Sequence, residues 1–119
     1  MIALLADIVV ALVAIMHIGF LVLEMFLWEK PVGLRVFGQT AERAAMTRVL
    51  AANQGLYNGF LAAGLIWGLI PDVNAGDVKI FFLSCVLVAG IYGAVTVSRR
   101  ILIAQAAPAA VGLLLVILS

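Results

Sequence analysis

The side chains in this chain able to hold a ligand or move a proton are His17, Glu24, Asn53, Gln54, Tyr57, Asn58 and Tyr92. Four of them crowd into Asn53-Gln54-Gly55-Leu56-Tyr57-Asn58-Gly59-Phe60-Leu61-Ala62-Ala63-Gly64, a stretch inside an apolar run long enough to cross a bilayer. On a helix Asn53 and Tyr57 stand at i,i+4, as do Gln54 and Asn58, so the four make one broad polar face. Such a face lines a pocket or forms a hydrogen-bond ladder between helices. This much polarity within a turn and a half exceeds what a ladder requires and favours the pocket. Glu24 is a carboxylate late in another apolar run. An ionisable group there is costly and marks a functional site by default, although the same carboxylate could instead fasten helices by accepting from Asn53, Gln54 or an arginine.

His17 and Glu24 are seven residues apart and share a helix face, with Phe20 or Leu21 between them. If the protein carries out a reaction, these two are the candidate acid–base pair. Their separation of about 10 Å along the axis is too long for chelating one metal ion. There is no second histidine, and the single cysteine, Cys85, lies in an apolar run. The sequence therefore points to no metal, no cofactor and no disulfide framework.

The elements that position these residues follow from composition. The 119 residues suffice for one domain, 66% are hydrophobic and only 11% charged, and the mean hydropathy is +1.28. These values, with four apolar runs of about 20 residues, predict an all-α membrane protein, four transmembrane helices in an antiparallel bundle. The expected spans are residues 2–28, 41–70, 78–97 and 101–118. Lys30-Pro31 stops the first, since proline cannot continue a helix. Residues 29–47 are expected as a polar connection, with Thr40 as N-cap of the second helix and Glu42 in its first turn. Asn74-Ala75-Gly76 reads as a tight turn, Asp77 as the next N-cap, and Pro108 as a kink in the last span. Small residues at Gly55, Gly59 and Ala63, at Gly64 and Gly68, and at Ala89 and Gly93 should let the first three spans pack closely.

Loop one and its flanks hold Lys30, Arg35, Arg43 and Arg48, loop three holds Arg99 and Arg100, and loop two has Lys79 against Asp72 and Asp77. The positive-inside rule then puts loops one and three in the cytoplasm and both termini outside, in a bacterial cytoplasmic (inner) membrane. Measured from those ends, Glu24, Asn53, Gln54, Tyr92 and Gln105 lie about 6 to 9 Å deep, and His17, Tyr57 and Asn58 about 14 to 17 Å. Every span thus contributes polar atoms to the cytoplasmic half. Trp28 and Trp67 read as interfacial anchors, Asp7 as reaching the outer interface, Cys85, Ser84 and Met25 as packing, and Thr96 and Ser98 as bonding their own backbone.

Glu24-Met25-Phe26-Leu27-Trp28-Glu29-Lys30-Pro31, Val36-Phe37-Gly38 and the Asn53–Gly64 stretch, with His17 at its spacing from Glu24, resemble a family of small bacterial integral membrane proteins, a domain of unknown function with four helices. The resemblance covers nearly the whole chain and implies four spans and a membrane location, without an activity. Length and a first-span glutamate are also similar to the small multidrug transporters, but the motifs around that glutamate do not match and Glu24 lies late in its span.

These readings converge on a protein that binds, and if it has chemistry transforms, a small amphipathic or lipid-like ligand through His17, Glu24, Asn53, Gln54, Tyr57, Asn58 and Tyr92. The alternatives are a small proton-coupled transporter or channel, dimeric because four short helices enclose little volume, and a ligand-free accessory subunit. Expected partners are membrane lipid and a second copy of the chain. A net charge of +1 with no basic face excludes nucleic acid.

Overall fold

The computed structural model describes all residues, Met1–Ser119, and is helical throughout, with no strand. Helix α1 is Ile2–Met25, α2 Pro31–Phe37, α3 Ala41–Leu69 and α4 Ala75–Thr96. Helix α5 runs over Arg99–Leu118 and contains a π turn at Leu102–Ala106. Helices α1, α4 and α5 are each long and apolar enough to cross a membrane. Helix α3 is longer, at 29 residues, but Asn53, Gln54 and Asn58 sit where a purely apolar span would carry aliphatic side chains.

The chain forms two compact units, one of Met1–Ile15 with Leu61–Ser119 and one of Met16–Phe60. In the larger unit, glycines set the close approaches. A Cβ on Gly64 would clash with the edge of the Phe82 ring, and one on Gly90 would sit 2.7 Å from the Ala106 backbone nitrogen. Leu65, Leu83, Val86 and Ala109 are fully buried there. Lys79 Nζ meets Asp7 Oδ1 at 2.8 Å, so Asp7 is paired to α4 rather than simply reaching outward. Lys79 also lies over Gly68, where a Cβ would come within 2.6 Å of its Cγ.

Several boundaries differ from the sequence reading, each for a local reason. The first helix stops at Met25, three residues short of Trp28. Residues 29–47 are not simply a polar connection. Pro31 takes the first position of α2, where its missing N–H is no loss. Gly38, at φ 62° and ψ 41°, closes α2 with the left-handed residue that favours glycine, and the Gln39 N–H reaches back to the Leu34 carbonyl at 2.9 Å. Thr40 does cap α3, its Oγ1 accepting from the Arg43 N–H at 3.1 Å. Asp77 is not an N-cap: α4 begins two residues earlier at Ala75, leaving Asp77 in its first turn. Gly76 accordingly lies in the helix, and the turn is closed by the Ala75 N–H on the Asp72 carbonyl at 3.1 Å.

Thr96 and Ser98 both bond locally, Thr96 Oγ1 to the Tyr92 carbonyl at 2.7 Å and Ser98 Oγ accepting from the Arg100 N–H at 3.2 Å. The irregularity expected at Pro108 appears just before it, as the π turn, in which the Ala107 N–H bonds Leu102 O. Proline removes a bond to the carbonyl four residues back and crowds it, and a widened turn relieves both effects. The small residues of α4 face α5, since a Cβ on Gly93 would meet Ile101 Cγ2 at 2.9 Å. Gly93 thus serves the third and fourth apolar segments, not the first three as expected.

Candidate functional site

In the smaller unit, α1 and α3 approach through a stripe on α3. Ala51, Gly55 and Asn58 recur at helical spacing and are all buried. A Cβ on Gly55 would meet Met25 Cγ at 2.7 Å and Glu24 Cβ at 3.1 Å, and one on Gly59 would meet Leu21 Cδ1 at 2.7 Å. Higher numbers on α3 therefore oppose lower numbers on α1, and the two segments run antiparallel. Glycine removes the side chains that would hold the backbones apart, and Asn58, one turn beyond Gly55, then reaches Glu24.

Asn58 Nδ2 donates to Glu24 Oε1 at 2.5 Å. Asn58 is almost fully buried and Glu24 half-buried. With Glu24 ionised the bond is charge-assisted, roughly twice as strong as a neutral one, and a carboxylate left without a donor at this position would be strongly disfavoured. His17 is fully buried, its ring edge-on to Phe20 with centroids 5.5 Å apart.

The other candidates are placed differently. Asn53 is exposed and turns its amide onto its own helix, Nδ2 bonding the Val49 carbonyl at 2.8 Å. Gln54 is exposed, as is Tyr57, whose ring lies 6.1 Å from Phe60. Tyr92 belongs to the larger unit and is exposed on α4. The four-residue face of α3 is thus split: Asn58 points inward to Glu24, while Asn53, Gln54 and Tyr57 point outward.

An open-mouthed cavity of about 330 Å³ adjoins the pair, lined by Glu24, Met25, Phe26, Trp28, Glu29, Lys30 and Arg48. Of the residues expected to bind a ligand, Glu24 alone lines it. Trp28, read in the sequence as an interfacial anchor, ties neighbouring elements together. Its Nε1 donates to the Ala44 carbonyl at 3.1 Å and to Thr47 Oγ1 at 3.2 Å, and its ring lies 4.9 Å from that of Phe37. The turn after α1 is thereby bound to both α2 and α3. Gly33 completes the junction, since a Cβ there would fall on the Leu27 carbonyl. At the mouth, Arg48 Nη1 faces Glu29 Oε1 at 3.7 Å, both side chains well exposed, a geometry that contributes little to stability.

Two acids and two bases leave the lining formally neutral while presenting both signs to an occupant. Lys30 and Arg48 read in the sequence as topology charges and Met25 as packing. The signal for Arg48 was its spacing: three and seven residues before Ala51 and Gly55, it shares their side of α3.

A helical chain with three helices apolar enough to cross a membrane, and a carboxylate–amide pair joining two antiparallel helix segments, has the makeup of a small membrane protein. The chain belongs to the DUF1304 family, a family of unknown function, which it matches over residues 11–117. It is also similar to "Uncharacterized protein YpaA" of Lactococcus lactis subsp. lactis (strain IL1403), at 28% identity over 96 residues, covering 79% of this chain and 81% of that one. No solved structure matches it.

Proposed function

We propose that this is a four-span protein of the bacterial cytoplasmic membrane that binds an amphipathic, lipid-like ligand, with the ligand's polar head in the cavity beside Glu24. Helix α3 is the fourth crossing. At 29 residues it is about 43 Å long, enough to span the bilayer and project its charged first turns beyond it. With α3 crossing, Lys30, Arg35, Arg43 and Arg48 fall on the same side as Arg99 and Arg100, which the positive-inside rule makes cytoplasmic, and both termini lie outside. The short α2, with Val32, Val36 and Phe37 exposed beside Arg35, suits the cytoplasmic interface.

The observation that carries the ligand reading is Glu24. Held by Asn58 on one side, it lines the cavity on the other. Phe26 and Trp28 supply apolar wall, while Lys30 and Arg48 stand ready for an acidic group. The head best matched to this lining carries both signs, as a zwitterionic phospholipid does: phosphate against Lys30 and Arg48, ammonium against Glu24 and Glu29.

Native mass spectrometry of the purified protein, with phosphatidylethanolamine, phosphatidylglycerol and a neutral quinone offered in turn, tests this reading. The zwitterionic lipid should remain as a stoichiometric adduct, and Arg48→Gln should weaken it. Equal retention of all three, or an adduct insensitive to Arg48, would overturn it. Proteoliposome flux that depends on Glu24 would replace it with the proton-coupled transporter.

A further inference from the structure

Helix α3 has a second face whose pattern the ligand site does not use. Met46, Leu50, Asn53, Tyr57 and Phe60 are spaced alternately four and three residues apart, which is the heptad spacing of a helix–helix seam. All are exposed, Met46 at 80%, Leu50 at 72%, Tyr57 at 53% and Phe60 at 58%, with Asn53 exposed between them. The stripe is about 21 Å long. It turns away from the buried Ala51, Gly55, Asn58 and Ala62, so the same helix presents one packed face and one open seam.

Lipid is a poor cover for this face. Asn53 is exposed and satisfies one donor on its own helix, through the Val49 carbonyl, which leaves the amide further bonding capacity, and Tyr57, one turn on, and Gln54 are exposed as well. Acyl chains offer these groups nothing, and polar atoms turned to hydrocarbon are costly. The occupant must carry hydrogen-bonding groups at the same depth and an apolar heptad in register with this one. A second copy of the chain meets both requirements by construction. An amide is donor and acceptor at once, so it is self-complementary across a two-fold axis. A single asparagine in an apolar heptad is also the device that fixes register between like helices.

We propose that the chain forms a parallel two-fold dimer through α3, with Asn53 facing Asn53 of the partner subunit and Met46, Leu50, Tyr57 and Phe60 packing around it. The proposal rests on α3 crossing the bilayer but not on the ligand site, so the two stand or fall separately.

Disulfide mapping in native membranes tests it, using single cysteines in a Cys85→Ser background. Leu50→Cys and Phe60→Cys should form cross-linked dimers on mild oxidation, whereas Val88→Cys and Ile103→Cys, exposed on α4 and α5, should not. Asn53→Leu should raise the dimer dissociation constant in bilayers roughly three- to twentyfold, and Asn53→Gln should restore part of that loss. Equal cross-linking at seam and control positions, a monomer by subunit counting at every protein-to-lipid ratio, or wild-type dimerisation of Asn53→Leu would each overturn it.

Discussion

Glu24 and Asn58 face each other because Gly55 and Gly59 carry no side chains to hold α1 off α3. The bond is asymmetric in its consequences. Removing the amide leaves a carboxylate without its donor, whereas removing both leaves an apolar contact. Asn58→Leu should therefore lower stability by about 1–3 kcal/mol, read as a fall in melting temperature in detergent, and Glu24→Leu combined with Asn58→Leu should recover most of it. An unchanged melting curve for Asn58→Leu would show that the pair does not hold these helices. At this scale the sequence was informative about residue types and less so about their directions. Glu24 stood out as a costly carboxylate, but the donors expected for it were Asn53, Gln54 or an arginine, whereas the donor is Asn58, one turn beyond Gln54. The inward turn of Asn58 and the outward turn of Asn53 could not be separated, because residues five apart on a helix differ by about 140° and either could have been the inner one.

Among the elements, α4 and α5 are joined where their backbones nearly touch. Gly90 faces the backbone of Ala106 inside the π turn, and backbone cannot swing aside as the end of a side chain can. Gly90→Ala should thus cost about 1–3 kcal/mol, whereas Gly59→Ala, which meets only the tip of Leu21, should cost clearly less. Equal melting temperatures for the two variants would contradict this packing. The helices themselves were legible from apolar run length, proline and the Thr40 cap. Helix α2 was not: seven residues that start at a proline, pack through Gly33 and end at the left-handed Gly38 give no periodic signal. The Asp7–Lys79 pair was missed because its partners lie 72 positions apart and each passed as an interfacial charge.

For the whole molecule, the proposed topology, with the first and third loops cytoplasmic, predicts what reagents will reach. With Cys85 replaced, single cysteines at Arg35 and Arg100 should be labelled by an impermeant maleimide only after the membrane is opened, and those at Val73 and Ser119 without opening. Labelling of Val73 and Arg35 from the same side would remove α3 as a crossing, and the proposed dimer seam with it. The helical character and the three helices apolar enough to cross a membrane were plain from composition, while the polar residues of α3 keep it from being a fourth on that ground. The cavity was not, because its walls come from the turn after α1 and the first turns of α3, whose charges looked sufficient as topology signals.

The central claim, a lipid head held beside Glu24, is tested most directly by a photoreactive residue. With p-benzoylphenylalanine in place of Phe26 in the cavity wall, irradiation in native membranes should yield a lipid-mass adduct well above that from the same residue at Val88, and Arg48→Gln should suppress it. Equal adduct yields at the two positions, unmoved by Arg48→Gln, would show only ordinary bilayer contact and contradict the account.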